Sequence, residues 1–581
     1  MQEFSLFECC RRGLRDSVRS LLKDGVDEEE LESRQHGGMT PLITASHFQH
    51  YDIVKLLVNA GAKIDSCNDR NISALYAACD VGQLDIVNFL LEVGADFTLT
   101  ARDGATPLHI ASNRGHLKVV RSLLSSGAEA NIANIKGSTS LHMAAAQGHL
   151  DVVKLLIRSG ADVNQSKEDG STPLYLACQN RHIKIVDYVL ASGGDVDIVT
   201  KNGWSPLLCA VERGNLETVM ILLGAGADVD KADPKFGKTP LFAAIVTGNI
   251  EMVSALIDAD ADVDVADNTG VTPIHVSCQY GHTEIVKKLI AANCDVNQSF
   301  EGNPTPLWVA CKHCKIEVIQ ALLDADAKTN KVDNNGSTPL FMASEVGDLD
   351  IVQALVDKEA KINKVDNKGR TPLAVACYNG NQDVVSYLLR EGADYNRTGN
   401  DGRTPLHLAC HCSYSSYSIV EHGSSIKAHL NIVKELHEAG ADVFKTDNDG
   451  KTALDIVTEL LALDTDLQTT SLSTISSGSG EEKDKEGEFA GNGSDGQRDV
   501  DIEKKEDGLK LQKLQKVGRL LVQDYLLRQH RWENRRSLIL IRLHADHRSN
   551  KTHRPTCLGA FLIDKDDRDS DYIRRMIAQY L

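Results

Sequence analysis

The sequence predicts a mainly α fold: a solenoid of stacked helix-turn-helix units with hairpin fingers, followed by a disordered linker and a helical tail. Three observations predict it. A tetrapeptide resembling Thr-Pro-Leu-His begins at Thr40, Ser73, Thr106, Thr139, Thr172, Ser205, Thr239, Thr272, Thr305, Thr338, Thr371, Thr404 and Thr452. Its step is 33 residues, with one extra residue between Ser205 and Thr239 and fifteen between Thr404 and Thr452. Of the 581 residues, 42% are hydrophobic but only 5% aromatic, which suits thin, repetitive packing better than one large core.

One unit, Asp103 to Asn131, explains the pattern. It reads DGATPLHIASNRGHLKVVRSLLSSGAEAN. Thr106 can cap a helix, and Pro107 suits its first position, where a missing N–H costs nothing. Leu108, Ile110 and Ala111 begin a short helix that Gly115 ends. Val119, Val120, Leu123 and Leu124 share one face of a second helix, closed by Gly127. The polar run Asn131 to Gly137 suits a hairpin finger pointing away from the stack. Such a unit cannot bury its apolar face alone, so neighbours must stack.

The ends differ from the middle. Residues 4 to 25 read as a repeat without its leading finger, so residues 1–39 form an N-terminal cap and a finger a few residues longer than the rest. The array runs from 40 to 463, with an insert at about 412–427, and its last repeat, opening at Thr452, is degenerate. Residues 464–508 are Ser, Gly, Glu, Asp and Lys with few apolar groups, a composition that favours disorder. From 509 to 581 the chain turns basic and helical. Leu514, Val517, Leu521 and Tyr525 share one face of a first helix, and Tyr572, Ile573, Met576, Ile577, Tyr580 and Leu581 one of a last.

Charge and cysteine usage limit the function. The net charge of −19 argues against nucleic-acid binding by the array, although residues 509–554 carry twelve Lys/Arg against three Asp/Glu. No apolar run is long enough for a secretory signal or a membrane span. The fourteen cysteines are therefore expected to stay reduced in a soluble monomer, cytoplasmic or nuclear and not secreted.

The candidate chemistry is thin. Cys79, Cys178, Cys278, Cys311, Cys377 and Cys410 stand six residues after the Thr/Ser position, where other repeats place Ser46, Ser112, Ala145, Ile245 and Ser344. That column reads as tight helix packing. Cys311 and Cys314 form a C-x-x-C without a second pair, and the Cys410, His411, Cys412, His422, His429 group fits no zinc spacing. That insert reads as an exposed loop bearing Tyr414 and Tyr417. Asp258, Asp260, Asp262 and Asp264 lack the Gly and Glu of a calcium loop. No phosphate-binding loop, kinase set or nucleophile elbow occurs. Neither a metal, a cofactor nor catalysis is expected.

The repeated unit resembles the ankyrin repeat, with its D-G-x-T-P-L-H-x-A, Gly-His, I-V-x-x-L-L and G-A-D-V-N elements, over about residues 4 to 463. The resemblance implies a non-enzymatic scaffold or adaptor that binds other proteins on a concave face of fingers and first helices. It makes His109, His142, His275 and His407 structural. The variable contact positions include Trp204, Lys238, Val271, Pro304, Arg370 and Arg403 just before the Thr, and Arg114, Gln147, Asn180, Arg213, Tyr280, His313 and Tyr378 after it. Phe236 lies in the one-residue finger insertion. Trp204, Arg213, Phe236 and Tyr280 are the foremost candidates, because aromatic and Arg side chains dominate interfaces. Asn131, Asn164, Asn297, Asn330, Asn363 and Asn396, each eight residues after a Leu, resemble substrates of an asparaginyl hydroxylase. Two alternatives remain at this stage. One is a targeting subunit, such as a ubiquitin-ligase substrate receptor, whose tail docks on other machinery. The other is an anionic membrane or RNA tether through residues 509–554.

Overall fold

The computed structural model describes residues 4–299, 304–411 and 425–458. The chain divides into two compact units, Met1–Pro306 and Leu307–Leu581. The linker 464–508, the tail 509–581 with its basic segment, and Tyr414 and Tyr417 all lie outside the described residues.

The first unit opens with α1 (Leu6–Arg12) and α2 (Arg15–Lys23). Leu6, Phe7, Cys9, Cys10 and Val18 are buried. They seal α1 against α4 (Pro41–His47) and α2 against α5 (Tyr51–Asn59), as a cap should. The finger that follows differs from the plain hairpin the sequence suggests. It contains one helical turn, α3 (Glu28–Leu31). Asp27 caps it, accepting from the Glu30 N–H at 2.8 Å, and Glu28, Glu29 and Glu30 favour its positive end. Leu31 anchors the turn in the core.

Seven further helix pairs follow: α6 (Ala74–Val81) with α7 (Leu84–Glu92), α8 (Pro107–Arg114) with α9 (Leu117–Ser125), and α10 (Ser140–Gln147) with α11 (Leu150–Arg158). Then come α12 (Pro173–Gln179) with α13 (Ile183–Ala191) and α14 (Pro206–Glu212) with α15 (Leu216–Gly224). The last two are α16 (Pro240–Val246) with α17 (Ile250–Asp258) and α18 (Pro273–Tyr280) with α19 (Thr283–Ala291). First helices stack on first helices and second on second.

Each first helix starts alike. Thr172 is extended at φ −96°, and its hydroxyl accepts from the Tyr175 N–H at 3.2 Å while Pro173 takes the next position. Leu174, Ala177 and Cys178 then face inward, and Ile185, Val186 and Val189 of α13 close the layer. The cysteine column is what the sequence suggested. Cys79, Cys178, Cys278, Cys311, Cys377 and Cys410 are no more than 2% exposed, as are Ser46, Ser112, Ala145, Ile245 and Ser344 at the same position.

The second unit holds α20 (Pro306–Lys312), α21 (Ile316–Asp324), α22 (Pro339–Val346), α23 (Leu349–Asp357), α24 (Pro372–Asn379), α25 (Gln382–Arg390), α26 (Pro405–His411) and α27 (Ser425–Glu438). The insert expected at about 412–427 is partly helix, because α27 runs fourteen residues where other second helices run nine. Residues 453–458 are helical, with Ala453, Leu454, Ile456 and Val457 buried.

Neighbouring fingers are joined by a recurring backbone bond. The Arg102 N–H donates to the Arg70 carbonyl at 3.1 Å, Ile135 to Asp103 at 3.0 Å, Glu168 to Lys136 at 3.0 Å and Lys201 to Asp169 at 2.8 Å. Gly170 makes room for the last of these. Its φ is +81°, and a Cβ there would lie 2.7 Å from the Lys201 nitrogen. Gly193 is equally left-handed at φ +88° but has nothing within 4 Å of such a Cβ. Gly193→Ala is expected to lower stability by about 1 kcal/mol, the conformational cost alone. Gly170→Ala should lose more, since the added methyl also displaces the next finger. Equal losses in urea unfolding would show that the finger bond adds nothing.

Candidate protein-binding face

Three columns of side chains build the edges of this face. In the first, His142 ties two layers together. The Thr139 N–H donates to its Nδ1 at 3.2 Å, and the Thr139 hydroxyl lies 2.8 Å from the same atom. Nδ1 is therefore the acceptor, so Nε2 carries the hydrogen and donates to the Ser171 carbonyl at 3.2 Å in the next finger. His109, His275 and His407 repeat this arrangement with Ser138, Pro304 and Lys451. The four histidines are structural, as expected.

In the second column, the His116, His149 and His182 rings bond the Asp80, Asn113 and Ala146 carbonyls of the preceding layer at 3.0–3.1 Å. His429 does the same with Tyr378 at 3.2 Å, so this histidine of the insert belongs to the stack. In the third, the Asn131 Oδ1 accepts from the Asp162 N–H at 2.8 Å, and its amide donates to Gly160 at 2.9 Å. Asn164, Asn330 and Asn363 bridge in the same two directions, and Asn396 accepts from Asp442. The Asn297 N–H bonds Asp295 within its own loop at 2.9 Å. The four aspartates of the DADADVD run have separate duties. Asp258 ends α17, Asp260 takes a left-handed φ of 62°, Asp262 bonds the Asp264 N–H at 2.9 Å, and Asp264 accepts from the Asp295 N–H.

Protonation of the histidine column would unpair it. Burial pushes the His142 ring down to about 4, partly opposed by its bond to Ser171. Burial also lowers His109 and His407. A folded value below the ordinary one, near 6.5, means that this stability is present above pH about 6.5 and lost as pH falls toward about 4. His142→Gln is expected to flatten that part of the stability profile by up to about 3 kcal/mol in urea unfolding. A profile with unchanged slope would place the acid sensitivity elsewhere.

The structure separates the candidate contact residues into exposed and half-buried sets. Arg114, Gln147, Asn180, Arg213 and Tyr280 in the first unit, and His313 and Tyr378 in the second, are exposed. Arg114 is engaged with Asp80 at 2.8 Å. Tyr280 is 52% exposed, its ring stacked on His282 at 5.7 Å. Phe236 is also 52% exposed, with Lys235 Nζ 4.7 Å and Lys238 Nζ 5.5 Å from its ring. Trp204 is half-buried instead. It lines a cleft of about 330 Å³ with Lys167, Asp169, Ser171, Tyr175, Leu176, Gln179, Thr200, Asn202 and Arg213. The cleft thus unites Trp204 and Arg213, and Phe236 stands on the following finger.

Sequence reasoning missed Tyr175, Lys167 and Gln179. Tyr175 carried little signal, because its position holds histidine in only four repeats and Tyr76 occupies it in another. Burial raises the Tyr175 phenol above the ordinary range. A departure lies at Pro234. It occupies the position from which other fingers donate, and having no N–H it leaves the Asn202 carbonyl without that bond. The next joint is present, with the Asn268 N–H donating to Phe236 at 2.9 Å.

The C-x-x-C pair is split. Cys311 is fully buried, whereas Cys314 is exposed at φ 53°. Among the described residues, no group of three or more His, Cys, Asp or Glu is placed to hold a metal. Iodoacetamide should therefore alkylate Cys314 before Cys79, Cys178, Cys311, Cys377 or Cys410 in the native chain, read by peptide mass spectrometry. Early labelling of Cys311 would contradict its burial. No helix among the described residues is long and apolar enough to cross a membrane.

A solenoid of capped helix pairs with stitched fingers defines a repeat protein that presents a long surface of changeable side chains. The family profile described as ankyrin repeats (3 copies) matches residues 6–101, 98–167, 141–233, 222–300, 292–366 and 347–422, and the single ankyrin repeat profile matches 401–448. The chain belongs to the ankyrin-repeat family, whose repeats bind other proteins. The crystal structure of the ankyrin repeat domain of Bcl-3, a unique member of the IkappaB protein family, is similar at 32% identity. That match covers 38% of this chain and 99% of the Bcl-3 chain, with a TM-score of 0.36. No curated protein matches the sequence.

Proposed function

We propose that the chain is a non-catalytic adaptor that holds a protein partner on the finger and first-helix face of the repeats between Lys167 and Tyr280. The observation that supports this reading is the grouping of Trp204 and Arg213 in one cleft, with the exposed Phe236 on the adjoining finger. Residues of these types carry most of the energy in protein interfaces. A standard interface needs about 800 Å² per partner, which a few repeats supply. The reading also keeps the asparagine column as acceptors for hydroxylation. Asn131, Asn164, Asn330 and Asn363 are bonded at both ends of the amide, so the loop must open to be modified. An added oxygen on these residues in peptide mass spectrometry checks this, and unmodified asparagine in chain from hydroxylase-containing cells counts against it.

The adaptor reading is tested by retention of cytosolic proteins on the full chain. Trp204→Ala, Phe236→Ala and Tyr280→Ala together should weaken a stoichiometric partner more than about tenfold, since hot-spot truncations cost about 2 kcal/mol or more each. The double variant Phe236→Ala, Tyr280→Ala alters only exposed rings and controls for folding. Undiminished retention by both variants would remove the partner from this face.

A further inference from the structure

The charge of this face runs against that of the chain. The whole protein carries −19. Around the cleft and the next finger, however, stand Lys167, Lys201, Arg213, Lys235 and Lys238. The acidic residues next to them in the chain are Glu168, Asp169, Glu212 and Asp233. Two of these are spoken for. Asp169 pairs with Lys167 at 2.9 Å, and Asp233 is 4% exposed, its carboxylate accepting from the Lys235, Phe236 and Lys238 N–H groups. Arg213 has no ion pair among the described residues. Its backbone carbonyl is held by Arg181.

Three of these cations lie beside apolar surface. Arg213 shares the cleft with the Trp204 indole, the Tyr175 ring and Leu176. Lys235 and Lys238 both approach the Phe236 ring, and Lys238 Nζ lies 5.6 Å from the Phe242 ring. The loops at the other end of the same layers are acidic, with Asp195, Asp197, Asp228, Asp230, Asp262 and Asp264 partly or fully exposed.

We propose that this face takes an acidic peptide segment of a partner protein. One carboxylate meets the guanidinium of Arg213, a neighbouring apolar side chain enters the cleft against Trp204 and Tyr175, and the segment continues over Phe236 between its two lysines. This deepens the adaptor reading and rests on it. An arginine without a carboxylate partner at the rim of a half-closed cleft gives a charge-assisted bond at little added desolvation cost. A nucleic acid fits less well. A polyanion draws its affinity from many phosphate contacts, and the aspartates of the same repeats would repel the rest of the strand.

The test is selection of a random peptide library on the full chain, followed by affinity measurement on variants. The selected pool is expected to be enriched in Asp and Glu over the input and to weaken with added salt. Selected peptides should bind Arg213→Glu at least about tenfold more weakly and Arg213→Lys nearly as well as the parent. A pool with no acidic enrichment overturns the proposal. So does an acidic pool indifferent to Arg213→Glu, or tighter binding of a single-stranded oligonucleotide at the same residues. Neutral peptides that still depend on Trp204 and Phe236 would leave the adaptor face standing and remove only its acidic specificity. Peptides indifferent to Trp204, Phe236 and Arg213 alike would remove both.

Discussion

The contact between one layer and the next is the constraint on which the rest of the structure depends. A single helix pair has two apolar faces and no partner for either, so it is stable only between neighbours. Apolar contact supplies the stabilisation, but it does not fix how far each layer slides or turns. Directional bonds do. The finger N–H, the Nε2 of His142 and the amide of Asn131 each reach the next repeat, while the His149 ring reaches back to the one before. These bonds sit at both ends of the helices, which defines register at the finger edge and at the loop edge together.

Most of that frame was legible in the residues. The capping Thr, the following Pro and the left-handed Gly each have a mechanism that needs no tertiary information. The cysteine column was legible as packing because small residues alternate with Cys at one register. The departures were harder to read. Residues 26 to 39 looked like a long finger, yet Asp27 followed by three glutamates gives a helical turn, since an acidic first turn and a cap outweigh the short length once Leu31 finds the core. The insert looked like loop up to about 427, whereas α27 begins at Ser425. A helix already nucleated by packing extends at little cost, and nothing in the local sequence forbids it.

The candidate face was legible only as a list of positions. Sequence register placed Trp204 and Arg213 nine residues apart on different parts of a repeat, and the fold brings them to one cleft. Tyr175 was invisible as a contact residue because its register assigns it a structural role. The column it occupies holds a layer-bridging histidine at His109, His142, His275 and His407 and an apolar or aromatic side chain at most other repeats, so Tyr175 did not stand out.

Departures from the repeat therefore carry more functional information than the repeat itself. A layer that obeys every column is specified by its neighbours and has little left to vary. Between Thr172 and Thr239 three features coincide: Tyr175 stands where four other repeats carry the stitching histidine, Pro234 cannot donate the finger bond, and the finger gains a residue beside the exposed Phe236. Of these, Pro234 removes a finger bond outright, while the bonds on either side of it, Lys201 to Asp169 and Asn268 to Phe236, are kept. A stack under selection for stability alone has no use for three such changes side by side. They become intelligible when the same changes open a cleft beside Trp204, expose an aromatic ring on the next finger and leave Arg213 without an acidic partner. In a fold built from repetition, a site is made by spending local regularity, and the stretch where regularity is lost is where a partner is to be sought.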